Sequence, residues 1–275
     1  MFKFIILLMF MPLYLLSNDR TLVFAPLPMK DIQTTYTQFS PLVRFLEQKL
    51  NTKIKIDYNK NYDQILKKFV NKEIDITYLG PLPYLSLEKM YSNVVPLVNF
   101  KNEKGEVSYT CSFVSFISNN NSMENMENTK IALTQPLSTC GYLFVNNILN
   151  NSNSNIEKNK YRYLGRHDKV ALSVILSEFK YGGLKTETAK EYFHLGLKEI
   201  KRSSKVPNFL LVANSKTLNK EILKKIKDSI FLLNKEDLSR WHKSMKFGVK
   251  EFNTKDYNHL RKLIKSSNIS KEGNF

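Results

Sequence analysis

From Thr21 onward the sequence alternates between short runs rich in β-branched and aromatic residues and longer segments whose apolar positions recur at helical spacing. Alternation of that kind builds α/β units, in which helices cover a largely parallel sheet. Thr21–Ala25 reads as a strand, and Phe39, Leu42, Val43, Leu46 and Leu50 mark a helix. A second strand at Lys53–Tyr58 precedes a helix marked by Tyr62, Ile65, Leu66 and Phe69. Ile74–Tyr78 is a third strand and ends in Leu79-Gly80-Pro81, a turn that opens a helix with proline near its first position. Val94–Phe100 completes this group.

After the turn-like stretch Lys101–Glu106, the β-rich run Tyr109–Ser118 is long enough to carry the chain into a second lobe, and a crossing segment is a hinge candidate. Asn119–Asn128 reads as a loop. The alternation resumes with a strand at Lys130–Thr134, a turn at Gln135–Thr139 and a helix to Leu149. Strands at Tyr161–Leu164, Tyr181–Leu184 and Leu197–Lys201 follow, with a helix marked by Val170, Ala171, Val174 and Ile175. Phe209–Ala213 then returns the chain to the first lobe, over which helices at Lys220–Leu233, Lys235–His242 and Asp256–Lys265 pack. The expected organisation is residues 18–108 plus 205–275 as one lobe and 109–204 as the other.

Residues 1–17 have the order of a secretory signal, Lys3 followed by an apolar run from Phe4 to Leu16 that is short for a membrane-spanning helix. Ser17 is the expected cleavage point; Leu15 is larger than the small residue that cleavage favours, which leaves an uncleaved anchor as the alternative. Export to the periplasm places Cys111 and Cys140 where a disulfide is permitted, although the sequence does not show that they meet. The formal charge of +17 invites a nucleic-acid reading. Lys220, Lys224, Lys225 and Lys227, however, interleave with Ile222, Leu223, Ile226 and Ile230 as on a solvated helix face, so no nucleic acid is expected.

Two local patterns bear on chemistry. At Ser138-Thr139-Cys140-Gly141 a strand ends before a helix, so hydroxyls and the unpaired N–H groups of a first turn converge where the helix dipole is positive; an ordinary N-cap is the structural alternative. His167, in Gly165-Arg166-His167-Asp168, opens another helix, where a neutral imidazole donates to an oxyanion while Asp168 caps the helix. The remaining histidines, His194, His242 and His259, have no metal-ligand spacing, and no metal or cofactor is expected.

Taken in order, FSPLVRFLEQKL, NYDQI, DITYLGP, SYTCSF, STCGY, GRHDKVALSV and KVPNFLLV resemble the periplasmic substrate-binding proteins of phosphonate, phosphite and phosphate ABC importers. The resemblance implies a two-lobed type II periplasmic-binding-protein fold, each lobe a mainly parallel sheet flanked by helices, and a monomer that captures a phosphorus oxyanion for a permease. It implies that Tyr62, Tyr109, Ser138, Thr139 and His167 donate to the oxyanion, with Cys140 standing where a third hydroxyl is common. Of two acidic residues that hold a ligand amine in aminophosphonate binders, Glu187 is retained, whereas Phe209 stands near the second position and Lys180 replaces an Asp. The alternatives are a sensory protein that engages a membrane receptor kinase and, in a different class, a cysteine-dependent hydrolase with Cys140 as nucleophile and His167 as base.

Overall fold

The computed structural model describes residues 20–120, 123–124, 126–265 and 269–275; the signal segment 1–17 lies outside the described residues. The first part of the chain runs β1 (Leu22–Pro26), α1 (Ile32–Leu50), β2 (Ile54–Ile56), α2 (Tyr62–Val70), β3 (Ile76–Leu79), α3 (Pro81–Met90) and β4 (Val94–Phe100). Asp31 caps α1 by accepting from the Thr34 N–H at 2.9 Å, and the apolar period then buries Phe39, Leu42, Val43 and Leu46 against the sheet. Asn61 caps α2 in the same way, through the Gln64 N–H.

The second part runs β5 (Ser108–Tyr109), β6 (Cys111–Phe116), β7 (Lys130–Leu133), α4 (Phe144–Asn150), β8 (Lys160–Tyr163), α5 (His167–Ile175), β9 (Tyr181–Lys185), α6 (Thr186–Lys190) and β10 (Leu197–Arg202). The chain returns through β11 (Val206–Pro207) into β12 (Leu210–Asn214), α7 (Lys220–Phe231), α8 (Lys235–Ser239), β13 (Val249–Glu251) and α9 (Asn258–Lys265). Tyr109–Ser118 is thus two strands, broken at Thr110, whose hydroxyl bonds to that of Thr186. The helix expected over Lys235–His242 stops at Ser239, and α9 is preceded by a tight helical turn over Thr254–Tyr257.

Two sheets result, one in the order β13-β4-β12-β3-β1-β2 and the other β10-β6-β9-β7-β8, with the ribbon β5-β11 where the chain passes between them. The expectation of mainly parallel sheets is corrected, because both are mixed. Among the described residues, parallel pairing is confined to β2-β1-β3 and β8-β7-β9. The strands that enter from the crossings, β12 and β6, are antiparallel to both their neighbours. A strand that arrives from the other sheet needs no helical crossover, so nothing forces it parallel.

One buried apolar cluster runs from the first sheet through Tyr109, Cys111, Cys140 and Phe209 into the second, while α5 closes a smaller cluster around Val170 and Val174. The tail, residues 269–275, lies against β8, where Asn274 exchanges hydrogen bonds with Tyr161. No helix among the described residues is long and apolar enough to cross a membrane.

Candidate functional site

Past β7 the chain turns at Thr134–Ser138 and enters a single wide helical turn over Thr139–Leu143 that continues into α4. The Phe144 N–H reaches the Thr139 carbonyl five residues back, the signature of a π-turn, a form common at functional sites. Ser138 caps it by accepting from the Gly141 N–H at 2.9 Å. Glycine allows the turn to lie directly on the sheet. A Cβ on Gly141 would fall 1.8 Å from Thr134 Oγ1, and one on Gly183 of β9 would fall 2.6 Å from the Cys140 carbonyl oxygen. The first N–H groups of this turn have no carbonyl behind them within the helix.

Facing the turn are two helix starts from the first sheet. Gly80 gives α3 no side-chain cap, and Pro81 and Pro83 have no N–H, so Leu82 carries the free donor of that end. The Leu82 N–H donates across the cleft to Thr139 Oγ1 at 3.1 Å. The Tyr62 N–H, first in α2, donates to Gln135 Oε1 at 2.9 Å, and Gln135 Nε2 in turn donates to the Gly165 carbonyl. Both contacts therefore join helix N-termini beside the first sheet to the segment Gln135–Thr139 that leads from β7 into the wide turn.

Between these elements is a cavity of about 10 Å³, lined by Tyr62, Tyr109, Ser138, Thr139, Cys140 and His167 together with Lys185, Phe209, Gly80, Pro83 and Leu27. Six of the seven candidate residues are thus gathered on one space. Among the described residues, every polar side chain lining it is a hydroxyl, an imidazole or an ammonium, and no carboxylate contributes. Burial pushes the Tyr62 and Tyr109 phenols well above their usual range, so both stay protonated and can donate; the Tyr109 hydroxyl is hydrogen-bonded to Thr139.

His167 is buried at the start of α5. Burial lowers its pKa to about 4, helped by the charges of Lys185 and Lys30 and opposed by Asp168. The ring is therefore neutral at pH 7. Nδ1 accepts from the Lys185 N–H at 3.2 Å, which puts the proton on Nε2 and leaves that group as the donor. Asp168 does not cap the helix as the sequence suggests. Its carboxylate is engaged by the Arg166 guanidinium at 3.0 Å, because Arg166 itself occupies the N-cap position.

Glu187 is the candidate that the structure places elsewhere. It lies in α6, outside the cavity, with its carboxylate 2.6 Å from Lys185 Nζ and its side chain 56% exposed. Cys140 and Cys111 are joined in a disulfide that ties the wide turn to the start of β6. This answers the pairing question and removes the basis of the hydrolase alternative, since a sulfur bonded to sulfur is not a thiolate nucleophile. Among the described residues no three His, Cys, Asp or Glu side chains gather as a metal site.

Lys185, Gln135 and the Leu82 N–H were not apparent from the sequence. The Gly-Pro-Leu-Pro start of α3 was the one available signal, since it strips a helix end of all but one donor.

Sequence comparison matches residues 24–260 to the model of the phosphonate ABC transporter periplasmic substrate-binding proteins. Among solved structures, PhnD1 of Prochlorococcus marinus, in complex with methylphosphonate, superposes with a TM-score of 0.78 at 17% identity, covering 90% of this chain and 98% of that one. A binding-protein component of a Pseudomonas aeruginosa ABC phosphonate transporter gives 0.76 at 17% identity over 90% and 86% of the two chains. A Xanthomonas citri protein bound to chloride gives 0.73 at 16% identity over 88% and 95%. At these identities the likeness speaks for the periplasmic-binding-protein fold. Because the family match spans most of the sequence, the chain belongs to the phosphonate ABC transporter periplasmic substrate-binding protein family, a solute-binding family whose location is the periplasm and whose partners are a small molecule and a permease.

Proposed function

We propose that the protein captures a small phosphorus oxyanion, such as phosphate, phosphite or a simple phosphonate, between its two lobes and delivers it to an ABC importer. The observation that carries this reading is the convergence of donors on one cavity with no carboxylate among them. The start of α3, the wide turn, the hydroxyls of Tyr62, Tyr109, Ser138 and Thr139, and neutral His167 all meet there. Helix N-termini and neutral donors bind an anion without a counter-charge. The methylphosphonate in the Prochlorococcus relative supports the ligand class.

In this reading the lobes are residues 18–108 with 205–275, and 109–204, and the ribbon β5-β11 is the hinge. The contact between Thr139 and the Leu82 N–H parts to admit the anion, whose oxygens take over both donors as the lobes close. Tyr62, Tyr109, Ser138, Thr139 and His167 then complete the shell, and the backbone of Cys140 adds an N–H. Glu187 does not join it, and Phe209 stands where a second carboxylate would hold an amine. An ammonium buried beside Phe209 costs several kcal/mol, so aminoalkylphosphonates bind more weakly than methylphosphonate.

A thermal-shift screen tests the reading, since a ligand that binds only the folded state raises Tm. The panel is phosphate, phosphite, methylphosphonate, 2-aminoethylphosphonate and sulfate. A saturable rise with a phosphorus oxyanion, lost in Ser138→Ala and in His167→Ala, is expected. No rise with any of them refutes the oxyanion site.

A further inference from the structure

The oxyanion reading accounts for the neutral donors of the site but leaves Lys185 unexplained. Lys185 ends β9, with only 14% of its side chain exposed. Its ammonium is held 5.1 Å from the centre of the Tyr109 ring and 5.5 Å from that of Phe209, and both rings line the inner cavity. A lysine this far from solvent loses hydration, which the two rings and the Glu187 carboxylate offset.

The inner cavity is close to the size of one water, so whatever is attached to the phosphorus must be accommodated elsewhere. Lys185 also borders a second, larger cavity of about 300 Å³. Four lysines, Lys101, Lys185, Lys243 and Lys246, line it against two carboxylates, Glu103 and Glu187. Lys185 is paired with Glu187 and Lys243 with Glu191. Lys101 and Lys246 have no carboxylate partner among the described residues, so the positive charge of this cavity is only partly compensated.

We propose that Lys185 and the cavity behind it form a subsite for a second anionic group on the ligand, a carboxylate carried one or two methylenes from the phosphorus. The ligand class is then a short phosphonocarboxylate, and Lys185 is the residue that selects it. The phosphonate occupies the donors of the inner site, the methylenes lie along Phe209 and Tyr109, and the carboxylate takes the Lys185 ammonium in competition with Glu187. This rests on the oxyanion reading above and extends it to the rest of the ligand. The same ammonium that attracts a carboxylate repels an amine, a second reason for an aminoalkylphosphonate to bind weakly.

Calorimetric titration of the purified protein with phosphate, methylphosphonate, phosphonoacetate, 3-phosphonopropionate and 2-aminoethylphosphonate tests this. The wild type is expected to bind phosphonoacetate or 3-phosphonopropionate about tenfold more tightly than methylphosphonate. In Lys185→Met that ratio falls to near one, and Lys185→Arg, which keeps the charge, retains most of it. Lys246→Met, in the outer cavity alone, lowers the 3-phosphonopropionate ratio about threefold and serves if Lys185→Met does not fold. Binding of phosphate or methylphosphonate with no phosphonocarboxylate preference, or a preference that survives Lys185→Met, overturns the proposal and leaves the oxyanion reading standing. No saturable binding of any of the five overturns both.

Discussion

His167 shows how burial sets a residue's role. The folded ring titrates at about 4 and an unfolded histidine near 6.5, so between those values the unfolded chain binds the extra proton. Stability is therefore full above about pH 6.5 and falls as the pH is lowered, with a loss on the order of 3 kcal/mol complete near pH 4. Denaturant midpoints at pH 7 and pH 4.5 should show this drop in the wild type and a smaller one in His167→Asn, whose side chain does not titrate. Thr134 offers a second test. Its Oγ1 is buried beside Gly141 with no hydrogen-bond partner among the described residues, and removing such a group relieves a desolvation cost of about 1 kcal/mol or more. Thr134→Val should hold or raise Tm, and a fall of several degrees would reveal an unrecognised partner. The sequence marked Ser138 and Thr139 as a helix start, either an ordinary N-cap or an anion site, and Ser138 does cap the wide turn. Lys185 was not legible there, since whether the last side chain of a strand faces a cleft is decided by the packing of Tyr109 and Phe209 beneath it.

At the scale of elements, the wide turn depends on two supports distant in sequence. The Cys111–Cys140 disulfide anchors it to β6 across a separation of 29 residues, and a loop of that length is worth about 3 to 4 kcal/mol in the chain-entropy account. The double variant Cys111→Ser/Cys140→Ser should melt on the order of 10 °C lower than the wild type by calorimetry, and an unchanged Tm would mean that packing alone holds the turn. Gly183 is the other support. Alanine there would press on the Cys140 carbonyl at 2.6 Å and Val145 Cγ2 at 2.4 Å, so Gly183→Ala should cost about 1 to 3 kcal/mol in denaturant titrations and displace the donors of the site. The elements themselves were legible wherever apolar spacing carried the signal, as in α1, α2 and β4. Strand direction was not, because spacing along a strand is blind to the neighbour it pairs with; β12 and β6 run antiparallel only because the chain enters each sheet from the other. The same blindness hid the break at Thr110, which exists because β5 pairs with β11 and β6 with β9 and β10.

For the whole molecule, the net charge of +17 suits the anion site proposed above. Exposed lysines on helix faces add little stability, yet their summed field draws anions toward the cleft. The association rate of an anionic ligand should therefore fall about severalfold between low and physiological ionic strength in stopped-flow measurements, with the dissociation rate less affected. In the proposed function, helix starts and hydroxyls from both lobes form one phosphorus-oxyanion site. Isothermal titration of the purified protein with phosphate, phosphite and methylphosphonate is the decisive experiment, with Ser138→Ala/His167→Ala as the comparison. Saturable one-to-one binding of at least one of the three is expected, weakened tenfold or more in the double variant; no saturable heat from any of them, or equal affinity in the variant, would rule the site out.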